Sequence, residues 1–234
     1  MERYGLRRDS GGPGRYRGGV GIEYTIRTVA PGAVITARGL ERYRFQPWGR
    51  DGGLPGVSSR TVYEPPGGPQ EDIGKIDVLR PAPGSRVTFM TPGGGGVGDP
   101  FTRDPAAVLR DVEEELVSPD SARSAYGVIV RNGTVDDAET ARARSAPRGP
   151  NLPFVFGAYR EQFESEWPEE VQRAINRLLE DRPQALRQYL RVALLQAIRD
   201  RRRRDPTVAD LDGLLTEILT TLPAWSAPRR SAGD

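Results

Sequence analysis

The hydrophobic pattern of the chain changes near residue 150, from short alternating runs to helical stripes. In residues 19–29, 33–45 and 75–90, apolar and β-branched side chains alternate with polar ones, which predicts β-strands. The first two runs flank a Pro31-Gly32 turn and are predicted to be antiparallel neighbours, and the third predicts two strands around Pro83-Gly84. Residues 46–72 have several Pro-Gly and Gly-Gly pairs and almost no periodicity, so they predict a long ordered loop.

Residues 91–130 predict a strand end, a glycine loop, two short helices and a strand, in that order. Asp104-Pro105 and Ser118-Pro119 each combine an N-cap side chain with a proline at the first helical position. Tyr126-Gly127 predicts a glycine stop before the strand-like residues 128–130. The apolar face of the first helix is predicted to contain Val108, Leu109, Val112 and Leu116. Further along, Thr134 is predicted to cap a polar helix that reaches Arg144.

The carboxy-terminal part has helical periodicity, with prolines at 183 and 206 between its stripes. The three stripes are Val171, Ile175, Leu178 and Leu179; Leu186, Leu190, Leu194 and Ile198; and Leu211, Leu214, Leu215, Ile218 and Leu222. Five aromatic residues precede the first stripe and are predicted to pack this part onto the β-rich part: Phe154, Phe156, Tyr159, Phe163 and Trp167. The sequence therefore predicts an α+β protein with a β-rich, loop-heavy region at 1–145 that contains short helices, a linker at 146–153, an all-helical tail at 154–225 and a disordered terminus at 226–234.

Composition limits the chemistry that the chain can perform. The chain has no histidine and no cysteine, which removes the commonest general base, the commonest transition-metal ligand and all thiol chemistry. The formal net charge is only +2, and Lys75 is the one lysine, so nucleic-acid binding is not indicated. A run of 18 apolar residues is lacking and charged residues follow Met1, so neither a membrane span nor a signal peptide is predicted, and we expect a cytoplasmic protein.

Two glycine-rich segments contain the candidate binding residues. In the first, Arg15 and Arg17 would project to the same side of an extended segment and could grip a carboxylate or phosphate. The backbone at Gly11, Gly12 and Gly14 could approach that anion closely, next to Asp9. The alternative is that both arginines pair with Asp9, Glu23 or a partner chain.

The second candidate segment is the run Gly93, Gly94, Gly95 and Gly96, followed by Asp99. A glycine loop before a helix can bind an anion, but the carboxylates of Asp99 and Asp104 would repel phosphate. The sequence therefore favours a tight backbone crossing over an anion site, and Asp99 could orient a substrate amide. Neither a catalytic residue nor a metal ligand is assigned to this chain.

These segments resemble the carboxy-terminal portion of the hydantoinase B and 5-oxoprolinase family. The matching motifs are GGGGVGDP at Gly93 to Pro100, the helix Arg103 to Val112, the continuation Val117 to Val130, the glycine-rich start Arg7 to Gly21 and the run Phe45 to Gly56. They occur in the family's order over roughly the first 145 residues.

The resemblance implies a carboxy-terminal part or small subunit of an enzyme complex that hydrolyses a cyclic amide such as hydantoin or 5-oxoproline with ATP. The implied partners are an amino-terminal hydantoinase B-like half and a hydantoinase A-like, ATP-using subunit. The resemblance places ATP and a divalent metal with those partners, and no cofactor is expected on this chain alone. Two alternatives remain open: a subunit of an ATP-dependent ketone carboxylase related to acetone or acetophenone carboxylase large subunits, or a noncatalytic assembly subunit.

Overall fold

The computed structural model describes residues 1–200 and 208–221, which divide into two compact units between Glu161 and Gln162. The predicted α+β class is confirmed, because the first unit is β-rich with short helices and the second is helical. The domain limits and the linker at 146–153 stay predictions. The predicted disordered terminus at 226–234 lies outside the described residues.

A five-stranded antiparallel sheet forms the centre of the first unit. The described strands of this unit are β1 (Arg3–Leu6), β2 (Ile22–Arg27), β3 (Ile35–Thr36), β4 (Gly49–Arg50), β5 (Arg60–Glu64), β6 (Glu71–Asp72), β7 (Val78–Leu79), β8 (Arg86–Met90), β9 (Val130–Arg131), β10 (Thr134–Val135) and β11 (Phe154–Val155). The sheet order is β1-β2-β8-β5-β6. Because side chains alternate across a strand, Val87 and Phe89 of the central strand β8 both lie in the core under the sheet.

Two predictions for this region are wrong: the long loop and one strand pairing. Residues 46–72 do not form a long loop, since β4, β5 and β6 lie within them and β5 pairs with β8 along its whole length. The run at 33–45 is a strand only at Ile35–Thr36, where it pairs with β7, while β2 pairs with β1 and β8. The pairings of β2 and β5 with β8 join segments far apart in sequence, which turn residues next to them cannot specify. The pairing of β5 with β6 is local, and the alternation of the run Arg60–Glu64 was its signal in the sequence.

The short helices of the first unit begin at the predicted caps in two cases out of three. These helices are α1 (Pro105–Glu113), α2 (Pro119–Tyr126) and α3 (Asp137–Ser145), and a 3-10 turn, Pro100–Thr102, precedes them. Asp104 caps α1, Ser118 caps α2, and Gly127 ends α2 with a φ of 61°. The predicted cap of α3 is wrong, because Thr134 lies in β10 and the side chain of Asp136 accepts the backbone N–H of Glu139 instead. Leu116 lies beyond the end of α1.

Four helices follow in the carboxy-terminal part: α4 (Ala158–Glu166), α5 (Glu169–Glu180), α6 (Gln184–Asp200) and α7 (Val208–Thr221). The three predicted stripes supply the core of the second unit, in which Leu190, Leu194 and Leu211 are fully buried. Helix α4 falls within the predicted helical tail, but it was not predicted as a separate helix, since the aromatic residues there lack a regular stripe. Pro206 and Leu222 lie outside the described residues.

The five aromatic residues do not form one cluster. Trp167 is buried in the core of the second unit, and Phe163 packs against that core. Phe154 and Phe156 stack on each other in the first unit, where Phe156 also contacts Trp48. The structure therefore gives these residues separate packing roles.

Candidate functional site

Three glycine-rich segments of the first unit cross each other at backbone distance. We call residues 11–21, 49–56 and 93–98 together the glycine crossing. Gly94 accepts a hydrogen bond from the backbone N–H of Gly12 at 2.8 Å and donates its own N–H to Gly19 at 2.8 Å. Gly96 donates to Leu54 at 2.9 Å, and Leu54 donates to Pro13 at 2.7 Å. The first and third of these segments contain the predicted arginines and glycines, and the predicted carboxylates Asp9 and Asp99 lie just outside them.

This crossing is too tight for side chains. A Cβ atom added at Gly11, Gly12, Gly14, Gly93, Gly95 or Gly96 would lie closer than 3.0 Å to a backbone atom. Only Gly94 among the predicted loop glycines would leave its nearest neighbour farther away, at 3.3 Å. The run at 93–96 thus forms the backbone crossing that the sequence favoured, and its space is filled by protein backbone.

A buried ion cluster fastens the crossing to helix α1. Asp111, which is only 6% exposed, accepts hydrogen bonds from Arg17 Nε and Nη2 at 3.2 Å each and from Arg103 Nη2 at 2.8 Å. Tyr126 is buried beside this cluster, and burial raises the pKa of its phenol to about 12. The tyrosine therefore remains neutral at physiological pH. The guanidinium group of Arg17 already donates two hydrogen bonds to the carboxylate of Asp111.

The other predicted arginine has different surroundings. Arg15 is exposed, and its guanidinium carbon lies 5.8 Å from the centre of the Tyr16 ring. Its backbone carbonyl accepts a hydrogen bond from Arg103 at 3.1 Å. The structure therefore does not bring Arg15 and Arg17 onto a common acceptor.

The two predicted site carboxylates, Asp9 and Asp99, both cap backbone groups. Asp9 has a φ of 58° and its Oδ1 accepts the N–H of Ser118 at 2.8 Å. Oδ1 of Asp99 accepts the N–H of Phe101 at 2.9 Å and a bond from Arg148 at 2.6 Å. Burial of Asp99 opposes its ionisation, but these hydrogen bonds outweigh burial and hold the pKa of the carboxyl below its usual value.

The first unit also contains an open cavity that the sequence did not indicate. Its volume is 1120 Å³, and five cationic side chains line it against two carboxylates. The cations are Arg7, Arg42, Arg44, Arg60 and Lys75, and the carboxylates are Glu41 and Asp72. Several of these residues lie in the stretch interpreted as a loop. The alternating run Arg-Thr-Val-Tyr-Glu of β5 was the signal that would have placed Arg60 on a rigid strand.

The described residues include no group of three or more histidine, cysteine, aspartate or glutamate side chains that could hold a metal ion. Within the same residues, no helix is both long enough and apolar enough to span a membrane. The glycine run lacks the Gly-Lys-Ser/Thr continuation of a phosphate-binding loop.

Residues 1–100 match the family model described as hydantoinase B/oxoprolinase. This part of the chain is therefore similar to members of the hydantoinase B/oxoprolinase family. The curated relatives that it matches include the beta subunit of the caprolactamase of Pseudomonas jessenii, with 36% identity over 152 residues, which covers 62% of this chain and 26% of the relative. The B component of a D-/L-hydantoinase, described as putative, from Pseudomonas sp. strain NS671 is 30% identical over 141 residues, covering 59% of this chain and 24% of the relative. The chain thus spans about a quarter of the length of these relatives.

A solved structure supports the fold over most of the chain. The nucleotide-free structure of acetone carboxylase, from a study of ATP-dependent acetone carboxylation, aligns with a TM-score of 0.50 and 20% identity. The alignment covers 94% of this chain and 31% of the acetone carboxylase chain. At this identity the likeness establishes a shared fold and no shared activity. Two of the curated relatives are named as subunits, one of a caprolactamase and one, putatively, of a D-/L-hydantoinase.

Proposed function

We propose that this hydantoinase B-like chain is the carboxy-terminal part, or a small subunit, of an ATP-dependent complex that hydrolyses a cyclic amide. The observation that carries the proposal is the 36% identity to the beta subunit of caprolactamase over 152 residues, because caprolactam is itself a cyclic amide. The match of residues 1–100 to the hydantoinase B/oxoprolinase family supports the same class of reaction.

Within such a complex, the chain acts as a scaffold that holds the glycine crossing rigid. The ion cluster at Asp111, the cap at Asp9 and the bond from Arg148 to Asp99 each join residues far apart in sequence. Since the chain contains neither histidine nor cysteine, the proposal places the reactive groups on its partners. These are an amino-terminal hydantoinase B-like half with the divalent metal and a hydantoinase A-like subunit that uses ATP, all in the cytoplasm.

The second candidate function is a part in an ATP-dependent ketone carboxylase. The shared fold with acetone carboxylase over 94% of the chain favours it. The third is a noncatalytic assembly subunit, which the backbone-filled glycine crossing favours because that crossing leaves no room for a ligand. All three candidates use the same scaffold, so activity must decide among them.

The test is reconstitution. The chain is purified alone and together with an amino-terminal hydantoinase B-like half and a hydantoinase A-like subunit, and each preparation is assayed for ATP-dependent hydrolysis of caprolactam, hydantoin and 5-oxoproline. A parallel assay measures ATP-dependent carboxylation of acetone. We expect hydrolysis only when all three components are present.

Each other outcome has a definite meaning. Hydrolysis by the isolated chain contradicts the scaffold role. Carboxylation without hydrolysis by the complete mixture establishes the carboxylase alternative. An equally active mixture from which this chain is omitted shows that the chain is not part of the enzyme. A complete mixture that assembles stably but performs neither reaction favours the assembly subunit.

A further inference from the structure

The cationic cavity of the first unit is separate from the glycine residues that the sequence singled out, and its geometry fits an organic anion. Arg7 follows strand β1 and is fixed by two neutral acceptors. Its Nη1 donates to the carbonyl oxygens of Ser58 at 2.7 Å and Thr91 at 3.0 Å. These two bonds hold the side chain in place. Because the acceptors are carbonyl oxygens without net charge, they do not neutralise the positive charge of Arg7.

A second guanidinium group lines the same cavity as Arg7. Arg60 is the first residue of β5, in the sheet that also contains β1, so both cations are based on or next to the same rigid element. Burial lowers the pKa of Arg7, the carboxylate of Glu23 counteracts this effect, and the neighbouring charge of Arg60 lowers the pKa further. Two like charges that line one cavity are both stabilised when an anion binds between them.

The carboxylates that line the cavity neutralise only part of its positive charge. Arg60 uses its Nε for Asp72 at 2.8 Å, which leaves the terminal nitrogens of the guanidinium group for another acceptor. Lys75 pairs with Glu41 at 3.2 Å. Arg44 lines the same cavity and is exposed. The lining therefore carries more positive than negative charge.

The lining also includes exposed apolar groups. Phe45, Val57 and Tyr159 line the cavity, and each is more than a third exposed. The hydroxyl of Ser58 has no hydrogen-bond partner among the described residues. Cations next to accessible apolar surface favour a ligand with an anionic end and a hydrocarbon body, whereas inorganic phosphate offers only the first.

We propose that this cavity binds a small organic carboxylate between Arg7 and Arg60, with the hydrocarbon part of the ligand against the apolar lining. The link to catalysis rests on the proposed function. When water hydrolyses a cyclic amide, the carbon–nitrogen bond breaks, the carbonyl carbon gains the oxygen of water and the nitrogen gains a proton. The product contains a carboxylate, together with an ammonium group when the ring is a lactam or a ureido group when it is a hydantoin. The ligand is then either this ring-opened product or a cyclic amide that already has a carboxylate.

Binding is tested on the full chain without its partners, so that the result does not depend on the activity of a complex. The chain is titrated with hexanoate and with hexanamide, which has the same hydrocarbon body but no charge, and backbone amide shifts are followed by NMR. We expect hexanoate to bind at least about tenfold more tightly and to shift amides near Arg60 and Gly74. Equal binding of the two compounds would overturn the proposal.

Three variants locate the site. Arg60→Gln should weaken hexanoate binding about tenfold, and Asp72→Asn should strengthen it several-fold because the bond competing for Arg60 is weakened. Arg27→Gln is the matched control, since Arg27 is also a sheet arginine paired with a carboxylate and is about equally exposed. Equal losses for Arg60→Gln and Arg27→Gln would show general attraction to a basic surface and would overturn the site.

Competing anions identify the source of the carboxylate. Tighter binding of 5-oxoproline assigns the site to substrate, and tighter binding of glutamate assigns it to product. Binding of inorganic phosphate or ATP more tightly than any carboxylate would overturn the carboxylate assignment. A chain that binds carboxylates but shows no hydrolysis in the reconstituted complex would refute the proposed function and leave the site intact.

Discussion

Replacing Asp111 by asparagine should destabilise the first unit strongly, because it removes one charge from a buried cluster and leaves two. Asp111→Asn keeps the size of the side chain, but its single oxygen can accept at most two of the three charge-assisted hydrogen bonds, and its NH2 group then faces a guanidinium donor. Arg17 and Arg103 are each only 15% exposed, so solvent screens their mutual repulsion poorly. Breaking a buried pair costs about 3–5 kcal/mol, and the two long bonds of 3.2 Å place this case near about 3 kcal/mol.

The assay measures unfolding of the first unit separately from the second. Hydrogen exchange followed by mass spectrometry reports peptides of residues 1–161 and of the helical unit individually, and thermal melts give the shift in Tm. A loss of about 3 kcal/mol corresponds to a fall of about 6–12 °C for a unit of this size.

The matched control is Glu113→Gln, a carboxylate that is exposed on the same helix α1. It should change stability by less than about 0.5 kcal/mol. If Asp111→Asn costs no more than Glu113→Gln, the ion cluster does not hold the crossing together. Faster exchange confined to the helical unit would contradict the assignment of the cluster to the first unit.

Three further predictions test other parts of the fold. Gly93→Ala should destabilise the first unit by about 2–4 kcal/mol because its Cβ would overlap backbone, whereas Gly5→Ala, with open space at the Cβ position, should have little effect; urea unfolding compares them, and equal effects would exclude a tight crossing. The pKa of Asp99 is lowered in the folded chain, so its stabilising effect is full above its unfolded pKa of about 3.9 and is lost as pH falls through the lower folded value. The stability difference between the wild type and Asp99→Asn, measured by urea unfolding at several pH values, should therefore shrink on acidification, and a difference that is constant with pH would contradict this account. Leu190→Ala should cost the helical unit about 2–5 kcal/mol and the exposed Val192→Ala less than about 1 kcal/mol, which thermal unfolding followed by circular dichroism can distinguish; similar values would mean that the leucine stripe is not the core.

Local signals predicted those elements whose ends are fixed by neighbouring residues. The Asp104-Pro105 and Ser118-Pro119 pairs predicted two helix starts correctly, because an N-cap bond spans only two or three residues. The stripes at 171–179, 186–198 and 211–218 predicted helices for the same reason, since i to i+4 spacing is local. The glycine run at 93–96 favoured a close crossing before any partner segment was known.

Contacts between distant residues decided the rest. The pairing of β5 with β8, which lies more than 20 residues further along the chain, is a contact of this kind. The ion pair of Arg17 with Asp111 joins residues 94 positions apart, which no spacing rule could indicate.

The sequence by itself determined the α+β class, the family resemblance and the absence of imidazole and thiol groups, since each depends on residue identity or on short-range order. Only the tertiary structure decided which strands pair, that the glycine segments fill one another's space, and that Arg7 and Arg60 line one cavity. The physical reason is that pairing and burial are free energies of the folded chain, gained when residues far apart in sequence exclude water together.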